Sequence, residues 1–283
     1  MLELELSTAL SLAKIASTST LEYYATDFVA EEKLGSDNHY EPVTEADREA
    51  SRIIVEGLAA AFPDDAILSE EETDETELRL SKNRVWIIDP IDGTSGFVEK
   101  NGDFAIQIGL AIGGDAVLGV VYQPFHDVMN YATKGEGSFM SVGDQDAVKV
   151  HVSDITHFHS MTMAMSRSHA TPRIERVIEH FEFGNVARRG SVGLKVSLIA
   201  SQECDIYIHP SPRTKLWDTC APQIILEEAG GRLTDIFGGD IRYDRELLPN
   251  LNGVLATNGI SHDAAVKHLR PVLTEFNRVR VLN

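Results

Sequence analysis

The chain has 283 residues, 43% of them hydrophobic, enough to build one large core or two small ones. Its 25 basic and 44 acidic side chains leave a formal net charge of -19. A surface of that sign repels polyanions, which excludes a nucleic-acid polymer or an anionic membrane as the expected partner; a small phosphorylated metabolite stays open, because cations held in one pocket reverse the field there.

Two cysteines, Cys204 and Cys220, are too few for a disulfide framework and lack CxxC spacing, which predicts a reducing compartment. Residues 1–13 mix acids into their apolar positions and do not read as a signal peptide. No apolar run approaches ~18 residues. Together these features predict a cytoplasmic protein.

Leu2, Leu6, Ala9, Ala13, Ala16, Leu21, Tyr24 and Phe28 recur at helical spacing and predict one long or broken amphipathic helix over 2–33. Gly35 to Asn38 reads as a turn. Thr44 reads as the cap of a second helix, from about Glu45 to Phe62, stopped by Pro63-Asp64-Asp65. A short strand, Ala66 to Ser69, leads into an acidic loop, Glu70 to Glu77. Val85-Trp86-Ile87-Ile88 is a continuous apolar run that suits a strand buried on both faces. It stops at Asp89-Pro90-Ile91-Asp92-Gly93-Thr94. Three strand-like runs follow, Phe104 to Ile112, Ala116 to Tyr122 and Val128 to Ala132, the first two joined by Gly113-Gly114-Asp115 as a hairpin.

The second half alternates strands with helices. The strands are Thr162 to Met165, Asn185 to Ala187, Asp205 to Ile208 and Val254 to Thr257. The helices are Pro172 to His180, Val192 to Ser201, Trp217 to Ala229 (closed by Gly230-Gly231) and one near His262 to Leu269. Such alternation predicts an α/β class. The change of character near 150–155 divides the chain into an N-terminal α+β domain, 1–152, carrying a metal-binding turn, and a C-terminal α/β domain, 153–283.

Asp89 and Asp92 follow a buried strand, where an α/β scaffold exposes its chemistry. On a turn stiffened by Pro90 they can converge on one point, and hard oxygen donors there suit Mg²⁺ or Mn²⁺ better than zinc. Gly93 and Thr94 offer backbone N–H groups where a helix could begin, a cradle for phosphate. An ordinary Asp-Pro turn would look the same in isolation. Glu70 lies just after a predicted strand and can join the cluster, whereas Glu72 to Glu77 reads as a solvated loop. Asp218, in Trp217-Asp218-Thr219, opens a helix and could merely cap it. Trp86 and Trp217 read as core anchors for these segments. His126, His151, His169 and His209 are assigned no role.

These segments carry a resemblance. Trp86 to Thr94 and Trp217-Asp218 look like the two signatures of the inositol monophosphatase superfamily of metal-dependent, lithium-sensitive phosphatases, and Pro42-Val43-Thr44-Glu45-Ala46-Asp47 and Glu70-Glu71 match two further segments, all in family order. The resemblance implies the layered α-β-α-β-α sandwich of the inositol monophosphatase and fructose-1,6-bisphosphatase type. It implies that Glu70, Asp89 and the Ile91 carbonyl hold a first Mg²⁺, that Asp89, Asp92 and Asp218 hold a second, and that Glu70 with waters holds a third, weaker one. It further implies that Thr94 and Asp47 pair to orient the attacking water, with Glu70 also in the catalytic group, and that the N–H groups of Gly93 and Thr94 bind phosphate. A homodimer is implied as well. No side-chain nucleophile is required, and nothing near Ser191 or Thr94 reads as a base arranged to activate a hydroxyl.

Within the superfamily, Thr94 to Phe104, Arg189 to Lys195 and Leu216 to Pro222 look more like the 3'(2'),5'-bisphosphate nucleotidases of sulfur assimilation. That likeness places Gly190, Ser191 and Lys195 at the substrate, and implies conversion of adenosine 3',5'-bisphosphate to AMP. A bisphosphate keeps one phosphate after hydrolysis, and a cation should meet it: Lys195 first, with Arg188, Arg189, Arg213 and Lys215 as looser candidates. Lys195 reads equally as a surface lysine. Ser95-Gly96 departs from that group, which often has a lysine directly after the threonine. Inositol monophosphate and histidinol phosphate are the alternative substrates; a metal- or nucleotide-binding regulator without turnover is the alternative of another class, disfavoured because every chemical position is filled.

Overall fold

The computed structural model describes residues 2–27, 30–34, 40–167 and 171–281. The helical position expected at Phe28, the turn expected over 35–38 and His169 lie outside them.

The chain begins with α1 (Glu3–Tyr24), a two-stranded antiparallel ribbon of β1 (Glu31–Leu34) and β2 (Tyr40–Val43), and α2 (Glu45–Ala61). Next come β3 (Ala66–Ser69), α3 (Thr76–Ser81), β4 (Arg84–Asp92), α4 (Thr94–Val98), β5 (Ala105–Ile112), β6 (Asp115–Gln123), β7 (Val128–Thr133), β8 (Gly137–Val142) and β9 (Val148–Val150). Strands β3 to β9 form a seven-stranded sheet in sequence order. Then follow β10 (Thr162–Ser166), α5 (Pro172–Phe181), β11 (Asn185–Arg189), α6 (Val192–Ala200), β12 (Ile206–His209), α7 (Leu216–Glu228), β13 (Arg232–Thr234), β14 (Val254–Thr257) and α8 (His262–Glu275). Their five strands form a second sheet, ordered β11-β10-β12-β14-β13.

The apolar pattern of β4 explains the layering. Trp86 and Ile88 point to one face, where they pack with Ile106, Ile108 and Leu110 against Ala9, Ala13 and Ala16 of α1 and Ile54 and Leu58 of α2. Val85 and Ile87 point to the other, against Val196 and Ile199 of α6 and Cys220, Ala221 and Ile224 of α7. Both faces are covered, so the strand has no polar alternation. The smaller sheet sends Ala164, Tyr207, Val254 and Ala256 into that same middle layer. Its other face carries Met163, Ile206, Ile208 and Leu255, packed on Ile174 and Val177 of α5 and Leu269 of α8. The order of layers is α-β-α-β-α. Each large side chain so buried stabilises the fold by about 1.5–3 kcal/mol.

Helix α7 lies unusually close to the large sheet. Gly109 and Gly119 face each other across β5 and β6. A Cβ on Gly109 would come within 2.7 Å of Cys220 Sγ, and one on Gly119 within 2.3 Å of the Ala221 carbonyl oxygen. Two missing side chains therefore set the depth at which α7 rests.

Several expectations need correction. The first helix ends at Tyr24 rather than continuing to residue 33, and Glu31 to Leu34 pairs with Tyr40 to Val43 instead. The Glu31-Glu32-Lys33 stretch supplies no apolar stripe for a helix to bury. The acidic segment is only partly loop, since α3 starts at Thr76. Strand β4 does not stop before its aspartates: it runs to Asp92, with a register shift between Asp89 and Asp92. Pro90 sits inside that irregularity, where a missing N–H costs no ladder bond. Strands β8, β9 and β13 carry too few apolar residues to have been read as strands.

Candidate active site

The β4 irregularity turns Asp89 and Asp92 toward α7. There each of Asp89, Asp92 and Asp218 offers a carboxylate oxygen, all within 4.8 Å of one another. Asp218 stands in the first turn of α7 and accepts the Lys215 N–H at 2.6 Å. It therefore caps its helix and faces the cluster as well. Asp92 is fixed more heavily. Its Oδ2 accepts from Gln107 Nε2 at 2.5 Å, Ser191 Oγ at 2.5 Å and Gly193 N at 2.7 Å. Burial pushes both carboxyls above their ordinary range, Asp218 well above it, and repulsion from Asp92 and Glu70 adds to the Asp218 shift. Converging buried carboxylates resist sharing one site as anions. An all-oxygen donor set of this kind fits a hard divalent cation, which removes that penalty.

Asp47 and Thr94 meet beside the cluster. Asp47 Oδ2 accepts from Thr44 N at 2.7 Å and Thr44 Oγ1 at 2.6 Å, closing the capping box of α2. Its other oxygen, Oδ1, lies 3.1 Å from Thr94 Oγ1, which is also 3.0 Å from the Ile91 carbonyl. Burial raises Asp47 to about 6 despite those bonds. Gly93 precedes α4 with φ of +94°, a backbone state that favours glycine. Glu70 lines the same cavity but stands outside the tight carboxylate trio.

Residues 1–274 match the family model described as the inositol monophosphatase family. The chain belongs to that family. It is 34% identical over 205 residues to the 3'(2'),5'-bisphosphate nucleotidase CysQ of Buchnera aphidicola, covering 71% of this chain and 74% of that one. Among solved structures it resembles an inositol monophosphatase (IMPase) of Thermotoga maritima, with a TM-score of 0.79, 28% identity and coverage of 97% and 99%. It also resembles CysQ of Bacteroides thetaiotaomicron, described as a bacterial member of the same family, with a TM-score of 0.76, 28% identity and coverage of 90% and 97%. The protein is accordingly an inositol monophosphatase-family phosphatase, a phosphoric monoester hydrolase, in a family that is generally metal-dependent.

The cavity above the carboxylates measures about 750 Å³. Gly93, Thr94, Gly190, Ser191 and Lys195 all line it. Lys195 is no surface lysine: it is 3% exposed, with its ammonium 5.1 Å from the Tyr207 ring centre. Burial lowers its pKa to about 8, against the pull of Asp92 and Asp218. The Ser191 hydroxyl, expected at the substrate, is engaged with Asp92. Arg213 and Lys215 line the cavity, whereas Arg188 and Arg189 on β11 do not. His209 lines it too, held between Tyr207 and Ser211.

Sequence reasoning missed the supports. Gln107 is the only polar residue of β5, a visible break in an apolar strand, and that break was the signal. Arg79, 2% exposed, binds Asp74 through Nε and Nη2 and donates Nη1 to the Arg245 carbonyl at 3.0 Å. Arg245 donates to Asn250 Oδ1 at 2.6 Å, and Asn250 donates to the Lys215 carbonyl at 2.9 Å. This chain of bonds links the segment after Glu70 to the turn bearing Asp218. No sequence spacing announces it. Among the described residues, no helix is long and apolar enough to cross a membrane.

Proposed function

We propose that the protein is a Mg²⁺-dependent 3'(2'),5'-bisphosphate nucleotidase that converts adenosine 3',5'-bisphosphate to AMP and phosphate. The observation that carries this is a three-carboxylate cluster in the wall of a large cavity that is also lined by Arg167, Arg173, Lys195, Arg213 and Lys215. The named activity of the CysQ relative supports the choice of substrate.

Asp89, Asp92 and Asp218 would hold Mg²⁺, with Glu70 and the Ile91 carbonyl as further ligands. Bound there, Mg²⁺ supplies charge neutralisation, a lowered water pKa and stabilisation of the leaving alkoxide. Gln107, Ser191 and Gly193 fix the rotation of Asp92 so that its carboxylate does not reorganise during turnover. Thr94 donates its hydroxyl proton to Asp47, leaving an Oγ1 lone pair to accept a hydrogen bond from the attacking water and orient it. The N–H groups of Gly93 and Thr94 receive phosphate oxygens. Gly190 and Lys195 border the ribose and the phosphate.

Phosphate release from adenosine 3',5'-bisphosphate, inositol 1-phosphate and histidinol phosphate tests the reading. Preference for the nucleotide, dependence on Mg²⁺ and inhibition by Li⁺ are expected. Preference for the inositol ester, the reading favoured by the Thermotoga neighbour, would replace it; activity that survives EDTA would refute the metal role.

A further inference from the structure

Arg167 directly follows β10 and lines the cavity. Its Nε donates to Asp103 Oδ2 at 2.7 Å, and its Nη2 forms an ion-pair contact with the same oxygen at 2.6 Å. The pair is lopsided: the Asp103 side chain is 6% exposed and the Arg167 side chain 44%. A fully exposed pair would hold its partners loosely. Here one partner belongs to the interior. Asp103 Oδ2 also accepts from Gly190 N at 3.1 Å. The Asp103 carbonyl is packed so closely that a Cβ on Gly93, Gly96 or Gly190 would come within 2.7, 2.5 or 2.4 Å of it.

The consequence is a fixed relation between two adjoining parts of the cavity wall that are far apart in sequence. Gly93 precedes Thr94, and Gly190 precedes Ser191, which holds Asp92. Arg167 is thus tied, through one buried residue, to the segment assigned above to the scissile phosphate and to the segment assigned to the ribose. Guanidinium has five donors, and Asp103 engages the Nε and Nη2 side of the fork. Lys195 is engaged deeper, beside Asp92 and Asp218. Position 95, also on the cavity wall, is a serine and brings no charge.

Resting on the nucleotidase reading, we infer that Arg167 is the specificity residue that receives the second, unhydrolysed phosphate of the substrate. The chemical class it selects is a nucleotide that carries a second phosphate dianion besides the one hydrolysed. Asp103 is its positioning residue. A planar fork held by a buried carboxylate is well suited to bind a phosphate with little reorganisation.

Arg167→Gln keeps a donor for Asp103 and removes the charge. It should lower the ratio of kcat/KM for adenosine 3',5'-bisphosphate over adenosine 3'-monophosphate by about ten- to a hundred-fold, mostly through KM. Arg167→Lys should recover part of the ratio. Titration calorimetry of AMP without divalent cations, where the bare carboxylates repel its phosphate, should show at least about five-fold weaker binding to Arg167→Gln. A wild-type preference for the bisphosphate that survives in Arg167→Gln, or a proportional loss on both esters, would overturn the inference. If the wild type shows no such preference, the nucleotidase reading fails by itself, and unchanged AMP binding in Arg167→Gln would then sink the arginine's role separately.

Discussion

Asp92 and Arg167 both line the cavity, yet they are held in different ways. Asp92 accepts three hydrogen bonds on one oxygen from buried donors, while Arg167 leaves 44% of its side chain in solvent and is anchored at one carboxylate. The floor of the cavity is over-determined; the outer wall is set by single ties. Chemistry that needs fixed charge sits where reorganisation is costly. Under the proposed function, selection among substrates would sit where single substitutions can retune it. In the floor, a lost contact should reach turnover; at the wall it should reach KM.

The largest expected effect is at the floor. Asp92→Asn removes a charge without changing volume, and should cost more than the about 10- to 100-fold typical of losing an outer partner. Far-UV and near-UV dichroism should match wild type while phosphate release collapses. Retained activity would break the distinction. Gln107→Leu removes one of the three supports and should cost about 10- to 100-fold, read as a higher Mg²⁺ concentration for half-maximal rate. Next, Gly119→Val presses on the Ala221 carbonyl and should destabilise the protein by about 1–3 kcal/mol. Urea unfolding would measure that, and Mg²⁺ activation should weaken as α7 shifts.

A control lies outside both regions. His262, buried near β13 and β14, bonds the Thr234 and Thr257 hydroxyls at 3.0 Å each. Burial lowers its pKa to about 4 from 6.5. Between those values the unfolded chain binds the extra proton. Its contribution is therefore full above pH 6.5 and is lost as pH falls toward 4, with a slope up to about 1.4 kcal/mol per pH unit. The urea midpoint difference between pH 7 and pH 5 should shrink in His262→Asn. Smallest of all, Arg173, at the start of α5, also lines the cavity, and Arg173→Ala should raise KM a few-fold at low ionic strength and less at high salt.

Much of the fold was legible because it is written in periodicity. The unbroken apolar run of Val85 to Ile88 predicts a strand covered on both faces, and the strand lies between two helical layers. The first helix was overextended because single apolar residues at helical spacing do not show where burial stops. Singly, Asp89-Pro90 reads as an ordinary turn and Asp218 as a helix cap, but the carboxylates that gather at the floor were legible as a set through the resemblance of their segments to a known family. Their supports were not. Asp103 and Asn250 act on segments far away in sequence, and nothing local distinguishes them from ordinary polar residues; Gln107 stands out as a polar break in an apolar strand, but the break does not say which carboxylate it holds. Lys195 shows the same limit in reverse: its helix reads as any helix, and only the packing of Tyr207 and Asp92 around it shows that it is internal.

The paired glycines beneath α7 carry an implication for adapting this scaffold. With the helix seated against the strands, room for change lies on the side of α5 and the segment after β12, whose residues Thr171, Arg173, Ser211 and Arg213 also line the cavity. An engineer seeking bulkier or smaller esters should diversify Thr171, Arg173, Ser211 and Arg213, and leave Gly109 and Gly119 untouched. A library built that way explores new appetites while the hydrolytic hardware stays in register.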